Sequence, residues 1–224
     1  MEREEKMLRK LLGFLKTYLH LYTPDNTNRL DKVISDLVGC QPQIYKKIFV
    51  MTVGYSKSGK TTLIKHNKTL SSLFRLSTTD IHDRLNAEFS FLRDDNTVNG
   101  RAYWERQYLT RIVRKKVLRK VFAQGIGVIN DSANLSRYER KERLSIAKKN
   151  GYKTIIVWVV CDEKELIKKL EEADDLLAES GKEKTWLRLY QEVQKKRFNP
   201  PLCVEADEVV KFESAKDDPE AILQ

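Results

Sequence analysis

Residues 54–61 read Gly-Tyr-Ser-Lys-Ser-Gly-Lys-Thr and match the pattern GxxxxGK[ST] at every position. That spacing lets consecutive backbone N–H groups curl around a β-phosphate at a helix N-terminus, where the amides are unpaired and the helix dipole favours negative charge. Gly54 and Gly59 permit the backbone conformations and the close approach, Lys60 bridges phosphate oxygens, and Thr61 can ligate Mg2+. Tyr55, Ser56, Lys57 and Ser58 complete the loop, and Thr62 extends the binding stretch into the helix. The apolar run IFVMTV (48–53) reads as a buried strand ahead of the loop, and a helix is expected from Lys60. This strand–loop–helix setting is the context the motif requires. A glycine turn without a ligand is the bland alternative, and the setting argues against it. The expected ligand is a nucleotide with Mg2+, ATP in the first instance. No base-reading motif chooses between ATP and GTP.

A terminal phosphate can go to water, drive work, or pass to another molecule. Transfer to a hydroxyl needs a group that orients or deprotonates the acceptor and cations that hold the migrating phosphoryl group. Asp80 suits the first role. It ends the expected strand LFRLSTTD (73–80), beside the phosphate-loop strand, and the carboxyl ends of strands line the ligand crevice in open parallel sheets. An N-cap for the helix DIHDRLN explains Asp80 equally well. Asp83 and Arg84 follow on the same turn, where Arg84 either holds an acceptor phosphate or is a solvated helix residue. Asp131 ends a second buried run, GIGVIND (125–131), where a carboxylate could act on Mg2+ or its water shell. Asn134 and Ser136 suit a cap of the next helix, and Arg137, Arg140 and Arg143 read most simply as a solvated face paired with Glu139 and Glu142.

These residues need a scaffold, and the patterning supplies one. From residue 46, β-branched runs alternate with helices: strands over 48–53, 73–80, 125–131, 154–160 and 206–212, with helices after Lys60 and over 100–124, 136–151, 162–179 and 184–198. Continuous apolar strands separated by helices mean an α/β fold with a parallel sheet covered on both faces. The apolar face of the 100–124 helix is expected to carry Trp104, Tyr108, Ile112, Val113, Val117, Leu118 and Val121. Ahead of this domain (46–224), residues 1–45 read as a helical extension. An amphipathic helix spans 3–22, and a second covers about 28–38, capped by Asn26 or Thr27 and stopped by Gly39.

Composition narrows the classes. A chain of 224 residues, 41% hydrophobic, supports one main core. No apolar run is long enough for a membrane span, and the charged start MEREEKMLRK lacks the features of a secretory signal. Three widely spaced cysteines argue against a disulfide framework and point to a reducing, cytoplasmic setting. The net charge of +10 attracts polyanions, nucleic acid among them, although a lysine-rich solvated surface accounts for it too. No apolar strand ends in the paired Asp-Glu expected of an oligomerising ATPase motor, and the oligomeric state is not legible.

Taken in order, GYSKSGKTT, LSTTDIHDR and VINDSANLSRYERKERLSIAKKNGYKTIIVWV resemble the phage polynucleotide 5′-kinase and its relatives among small P-loop kinases, a group that includes zeta toxins and chloramphenicol phosphotransferase. The resemblance covers about residues 46–212, and its most specific stretch is IND-x-x-NLS-x-x-x-R. It implies a P-loop NTPase fold of the nucleoside-monophosphate-kinase type with a helical lid at about 162–199. It also implies that Asp80 is the general base and that Arg84 lies near the arginine that holds the acceptor's phosphate, one residue later than the family spacing. Where the family's lid carries an arginine for the transferring phosphate, this chain has Lys168 and Lys169, with Arg188 on the next helix as the alternative. The implied activity is transfer of the ATP γ-phosphate to a hydroxyl, a polynucleotide 5′-OH first. A small acceptor such as a nucleotide-sugar is the runner-up, and a nucleotide-gated binding module with slow hydrolysis stands as the reading from another class.

Overall fold

The computed structural model describes residues 23–39, 44–92, 101–181 and 183–223; the helix expected over 3–22 lies outside them. The chain divides into two compact units, Met1–Cys40 with Thr78–Arg119, and Gln41–Ser77 with Lys120–Gln224.

The second unit is built on a five-stranded parallel sheet of order β2-β3-β1-β4-β5. Its strands are β1 (Ile48–Val53), β2 (Phe74–Ser77), β3 (Val128–Asp131), β4 (Lys153–Val160) and β5 (Glu208–Glu213). All six residues of β1 are buried, as befits a central strand covered on both faces. On one face, Ile48, Val50, Ile129, Ile155, Val157 and Phe212 pack against Leu63, Ile64 and Leu70 from helices α2 (Lys60–His66) and α3 (Lys68–Ser71). On the other, Phe49 meets the edge of Phe122, which in turn packs on Tyr152. Gly127 permits the tight entry into β3, because a Cβ there would sit 2.8 Å from the Leu73 side chain and 2.9 Å from the Lys46 carbonyl. The further α-helices described in this unit are α6 (Arg137–Lys149), α7 (Glu163–Glu179), α8 (Trp186–Leu189) and α9 (Lys195–Arg197).

The first unit contains α1 (Pro24–Gly39), α4 (Thr78–Glu88), a 3-10 turn at Ser90–Leu92, and most of α5 (Arg101–Ala123), which continues into the second unit. Helix α1 buries Leu30, Val33, Ile34, Leu37 and Val38. It is tied to the end of α4 by Arg29, whose Nη1 donates to the Glu88 carbonyl at 3.0 Å, and by the Lys32–Glu88 ion pair.

Four local expectations need correction. Strand β2 ends at Ser77 and α4 begins at Thr78, so Asp80 sits in the first turn of a helix instead of ending a strand. The strand beside β1 on that side is β3, not β2. The buried stripe of α5 runs through Ala102, Glu105, Leu109, Val113 and Val117, which leaves Trp104 one position off it and 53% exposed. Burial of Glu105 is made tolerable by Arg101, whose Nε donates to its carboxylate at 2.7 Å. The single helix expected over 184–198 is broken into α8, a π-helical turn at Tyr190–Gln194, and α9.

Candidate active site

The phosphate loop leaves β1 after Val53 and enters α2 at Lys60. Gly54 donates its N–H to the Ala133 carbonyl at 3.0 Å, and a Cβ there would meet the Val159 carbonyl oxygen at 2.6 Å. Gly59 has a φ of 100°, a conformation that side-chain-bearing residues avoid. Both glycines are thus required by the backbone path. Lys60 folds back into the loop, 9% exposed, and its Nζ donates to the carbonyls of Gly54 (3.1 Å) and Tyr55 (2.5 Å). Burial pushes its ammonium down to about 8, against the attraction of Asp131. A buried cation on neutral carbonyls, at the start of a helix, is an arrangement that suits an anion.

Thr61 and Asp131 come together. The Thr61 hydroxyl donates to Asp131 Oδ2 at 3.3 Å, joining the start of α2 to the end of β3. Arg75 on β2 fixes the same oxygen through Nε at 2.9 Å and Nη2 at 2.6 Å. A hydroxyl and a carboxylate side by side suit Mg2+, which takes one or two protein oxygens and fills its shell with waters and phosphate oxygens. Arg75 is absent from the sequence reading. Its signal was a lone cation inside the apolar run Leu73-Phe74-Arg75-Leu76, facing a strand that ends in aspartate.

The IND-x-x-NLS-x-x-x-R stretch proves structural at most positions. Asn134 takes a left-handed conformation (φ 49°), and its amide donates to the Thr52 carbonyl at 2.6 Å and to the Ser132 carbonyl at 3.1 Å. It therefore staples β1 to the turn after β3 and does not cap α6. Arg140, expected on a solvated face, is fully buried. Its Nε and Nη2 grip the Glu205 carboxylate at 2.7 and 2.9 Å, and its Nη1 donates to the carbonyls of Asn134 and Leu135. Arg143 also turns inward, to Asn134 Oδ1. The sequence pointed to a solvated face paired with Glu139 and Glu142; the turn after β3 offers better acceptors.

The expected lid cations are engaged locally. Lys168 lies 4.0 Å from Glu172, Lys169 lies 2.5 Å from Glu165, and Arg188 donates to Glu183 at 2.9 Å. What meets the phosphate loop from that side is Gln194, also unforeseen. Its Oε1 accepts from the Ser56 backbone N–H at 3.1 Å and its Nε2 donates to the Ser56 hydroxyl at 2.7 Å. A polar residue inside a helix-forming run carries no sequence signal of this contact.

Within the first unit, Asp80 occupies the first turn of α4, and Arg84, one turn on, has Nη1 3.9 Å from Asp36 Oδ2 of α1. His82 lies between them in sequence. Burial, and then the positive charges of Arg106 and Arg114, push its imidazole down to about 4, so it is neutral at physiological pH. Arg114 also donates to the Thr78 hydroxyl at 2.7 Å.

Comparisons with known proteins agree with this architecture. A candidate kinase from Chloroflexus aurantiacus superposes with a TM-score of 0.57 at 16% identity, over 80% of this chain and 93% of its own. A structure from the PezAT chromosomal toxin–antitoxin system of Streptococcus pneumoniae gives 0.60 at 12% identity, over 88% and 81%. At these identities the likeness is one of fold, that of a P-loop kinase. No curated protein matches the sequence. Residues 49–189, from β1 through the phosphate loop, Asp80 and Asp131 to α8, match the AAA domain model AAA_33, and the chain belongs to that family.

Proposed function

We propose that the chain is an ATP-dependent phosphotransferase that moves the γ-phosphate to a hydroxyl, with a polynucleotide 5′-OH as the first acceptor. The observation that carries the nucleotide half is the loop itself: a buried Lys60 on neutral carbonyls, with Thr61 and Asp131 in contact beside it. In this reading the loop amides and Lys60 hold the β- and γ-phosphates and stabilise charge as it develops in transfer. Thr61, with Asp131 behind it, would hold Mg2+, which supplies charge neutralisation on the phosphate oxygens. Asp80 accepts or orients the acceptor's proton, and Arg84 meets an acceptor phosphate by exchanging Asp36 for it. The long Arg84–Asp36 separation makes that exchange cheap. Net charge of +10, with Arg and Lys crowded on α5, supports a polyanionic acceptor.

The test is a γ-phosphate transfer screen over 5′-OH DNA, 5′-OH RNA, nucleosides and sugar nucleotides, with Asp80→Asn alongside. Label on an oligonucleotide, lost in Asp80→Asn by ~10²–10⁴-fold while ATP affinity persists, is the expected result for a general base. Label confined to small acceptors overturns the polynucleotide assignment. Label in inorganic phosphate alone overturns the kinase reading in favour of a nucleotide-gated module. Oligonucleotide affinity should also fall steeply with salt, as bound phosphates release counterions.

A further inference from the structure

Three consecutive residues of the phosphate loop are each held by a different residue of one short segment, Trp186–Phe198. Tyr55 meets the ring of Tyr190 edge-on, with centroids 5.0 Å apart, and lies 5.0 Å from Phe198. Ser56 is gripped at two points by Gln194, itself only 7% exposed. The Lys57 ammonium stands 5.0 Å from the ring centre of Trp186. Lys57 also has a left-handed φ of 63°, a conformation that L-residues avoid and that persists only where neighbours enforce it.

The segment is not a plain helix. Tyr190–Gln194 forms a π-helical turn, a rare arrangement that concentrates at functional sites. Its two ends, Tyr190 and Gln194, are the two residues that touch the loop through ring and amide. The segment is in turn fastened to α7. The Asp174 carboxylate accepts from the N–H groups of Thr185, Trp186 and Leu187 at 2.8–3.0 Å, and Glu163 accepts from the Tyr190 hydroxyl and the Lys195 ammonium at 2.9 and 2.6 Å. Leu166 and Leu170 of α7 pack on Tyr190.

We propose that Trp186–Phe198 is a strap that sets the conformation of the phosphate loop, that Gln194 is its positioning residue, and that α7 is coupled through it to nucleotide binding. The inference rests on the reading of the loop as a nucleotide site and adds how the loop is kept in shape. Gln194 occupies the Ser56 N–H and hydroxyl and the Ser58 N–H turns back to the Tyr55 carbonyl at 3.3 Å, so the first half of the loop is held in place, while the amides from Gly59 on and Lys60 are left to the phosphates. Without Gln194, Lys57 relaxes from its left-handed conformation and the amides lose their common aim. The family match ends at residue 189, the fourth residue of the segment, so Gln194 lies beyond it.

The test uses the full chain with Trp104→Phe and Trp158→Phe, so that Trp186 alone emits, and ADP as the probe. In this parent, ADP binding should change Trp186 emission, because Lys57 moves relative to the ring. Gln194→Ala removes two hydrogen bonds at the loop and should weaken ADP binding by ~10-fold, while the melting temperature shifts little. Asp174→Asn, which loosens the strap from α7 without touching the loop, should reduce the emission change and weaken ADP several-fold. It also serves should Gln194→Ala fail to fold. ADP affinity within twofold of the parent in either folded variant overturns the strap. Trp186 emission that ignores bound ADP does so too. A parent that binds no ADP overturns the nucleotide reading beneath it.

Discussion

The phosphate loop and the α7–α8 region both carry cations, and they treat them in opposite ways. Lys60 is buried, meets only carbonyl oxygens, and is pushed down to about 8 by burial. Lys168, Lys169 and Arg188 are each satisfied by a glutamate of their own helix or the preceding loop. A cation neutralised at the surface is available only when its partner is displaced. A buried one without a bonded carboxylate carries a desolvation cost that a bound phosphate relieves. Under the proposed function, the charge available to a phosphate is therefore concentrated in the loop, and the neighbouring region contributes shape, through Gln194 and the aromatic contacts, more than charge.

The strongest challenge to that contrast is Lys60→Ala. Nucleotide binding or transfer should fall by ~10²–10³-fold or more, as when a preorganised electrostatic donor is removed, with the fold retained because a buried charge has gone. Unchanged turnover in the folded variant would show that the loop is not the site.

Arg140 sharpens the comparison from the structural side, as a buried cation that is fully paired. Arg140→Ala leaves the Glu205 carboxylate buried without its partner and should cost about 3–5 kcal/mol of stability, read by denaturant unfolding. A loss under 1 kcal/mol would mean that Glu205 finds water.

A smaller effect follows from pH. Lys60 is protonated below about 8 in the free protein, and a bound polyphosphate favours the charged form and raises its pKa. Affinity for ADP should thus be level below pH 7.5 and decline above 8 by up to about tenfold per unit, until the pKa of the complex is reached. Titration of wild type against Lys60→Ala checks this, since the variant should lack the decline.

The smallest effects belong to the region of paired cations. Lys168→Ala and Arg188→Ala each remove an exposed ion pair, and melting should move within what about 0–1 kcal/mol allows. Transfer should stay within about threefold of wild type if the loop supplies the charge. A loss of 10²-fold in either would break the contrast, by showing that the cation leaves its glutamate to meet the γ-phosphate.

What could be read from residues alone divides by the range of the forces involved. The phosphate loop was legible because its geometry is written in the backbone: two glycines, a lysine and a hydroxyl at fixed offsets between a strand and a helix. Thr61 and Asp131 followed, since each sits at the end of an element that periodicity marks. The strand order was not legible: the run at 73–80 reads as the neighbour of β1, whereas β3 lies between β2 and β1. The fates of Arg140 and Arg143 were not legible because a charged helical run reads as a solvated surface and says nothing of a distant Glu205 or a left-handed Asn134. Trp104 was assigned to the wrong side of α5 by a single position, a rotation of one residue about the helix axis.

The sequence by itself determined the α/β alternation, the phosphate loop, and the types of residue that would face a nucleotide. Apolar periodicity and glycine spacing act locally, over a turn or a strand, and need no knowledge of the rest of the chain. Only the tertiary structure decided which charges remained for chemistry. Arg75 was committed to Asp131, Arg140 to Glu205, and Gln194 to Ser56, partners 56, 65 and 138 residues away. Whether a polar side chain is spent or left available depends on which groups burial brings within about 3 Å, and that is settled only when the sheet assembles.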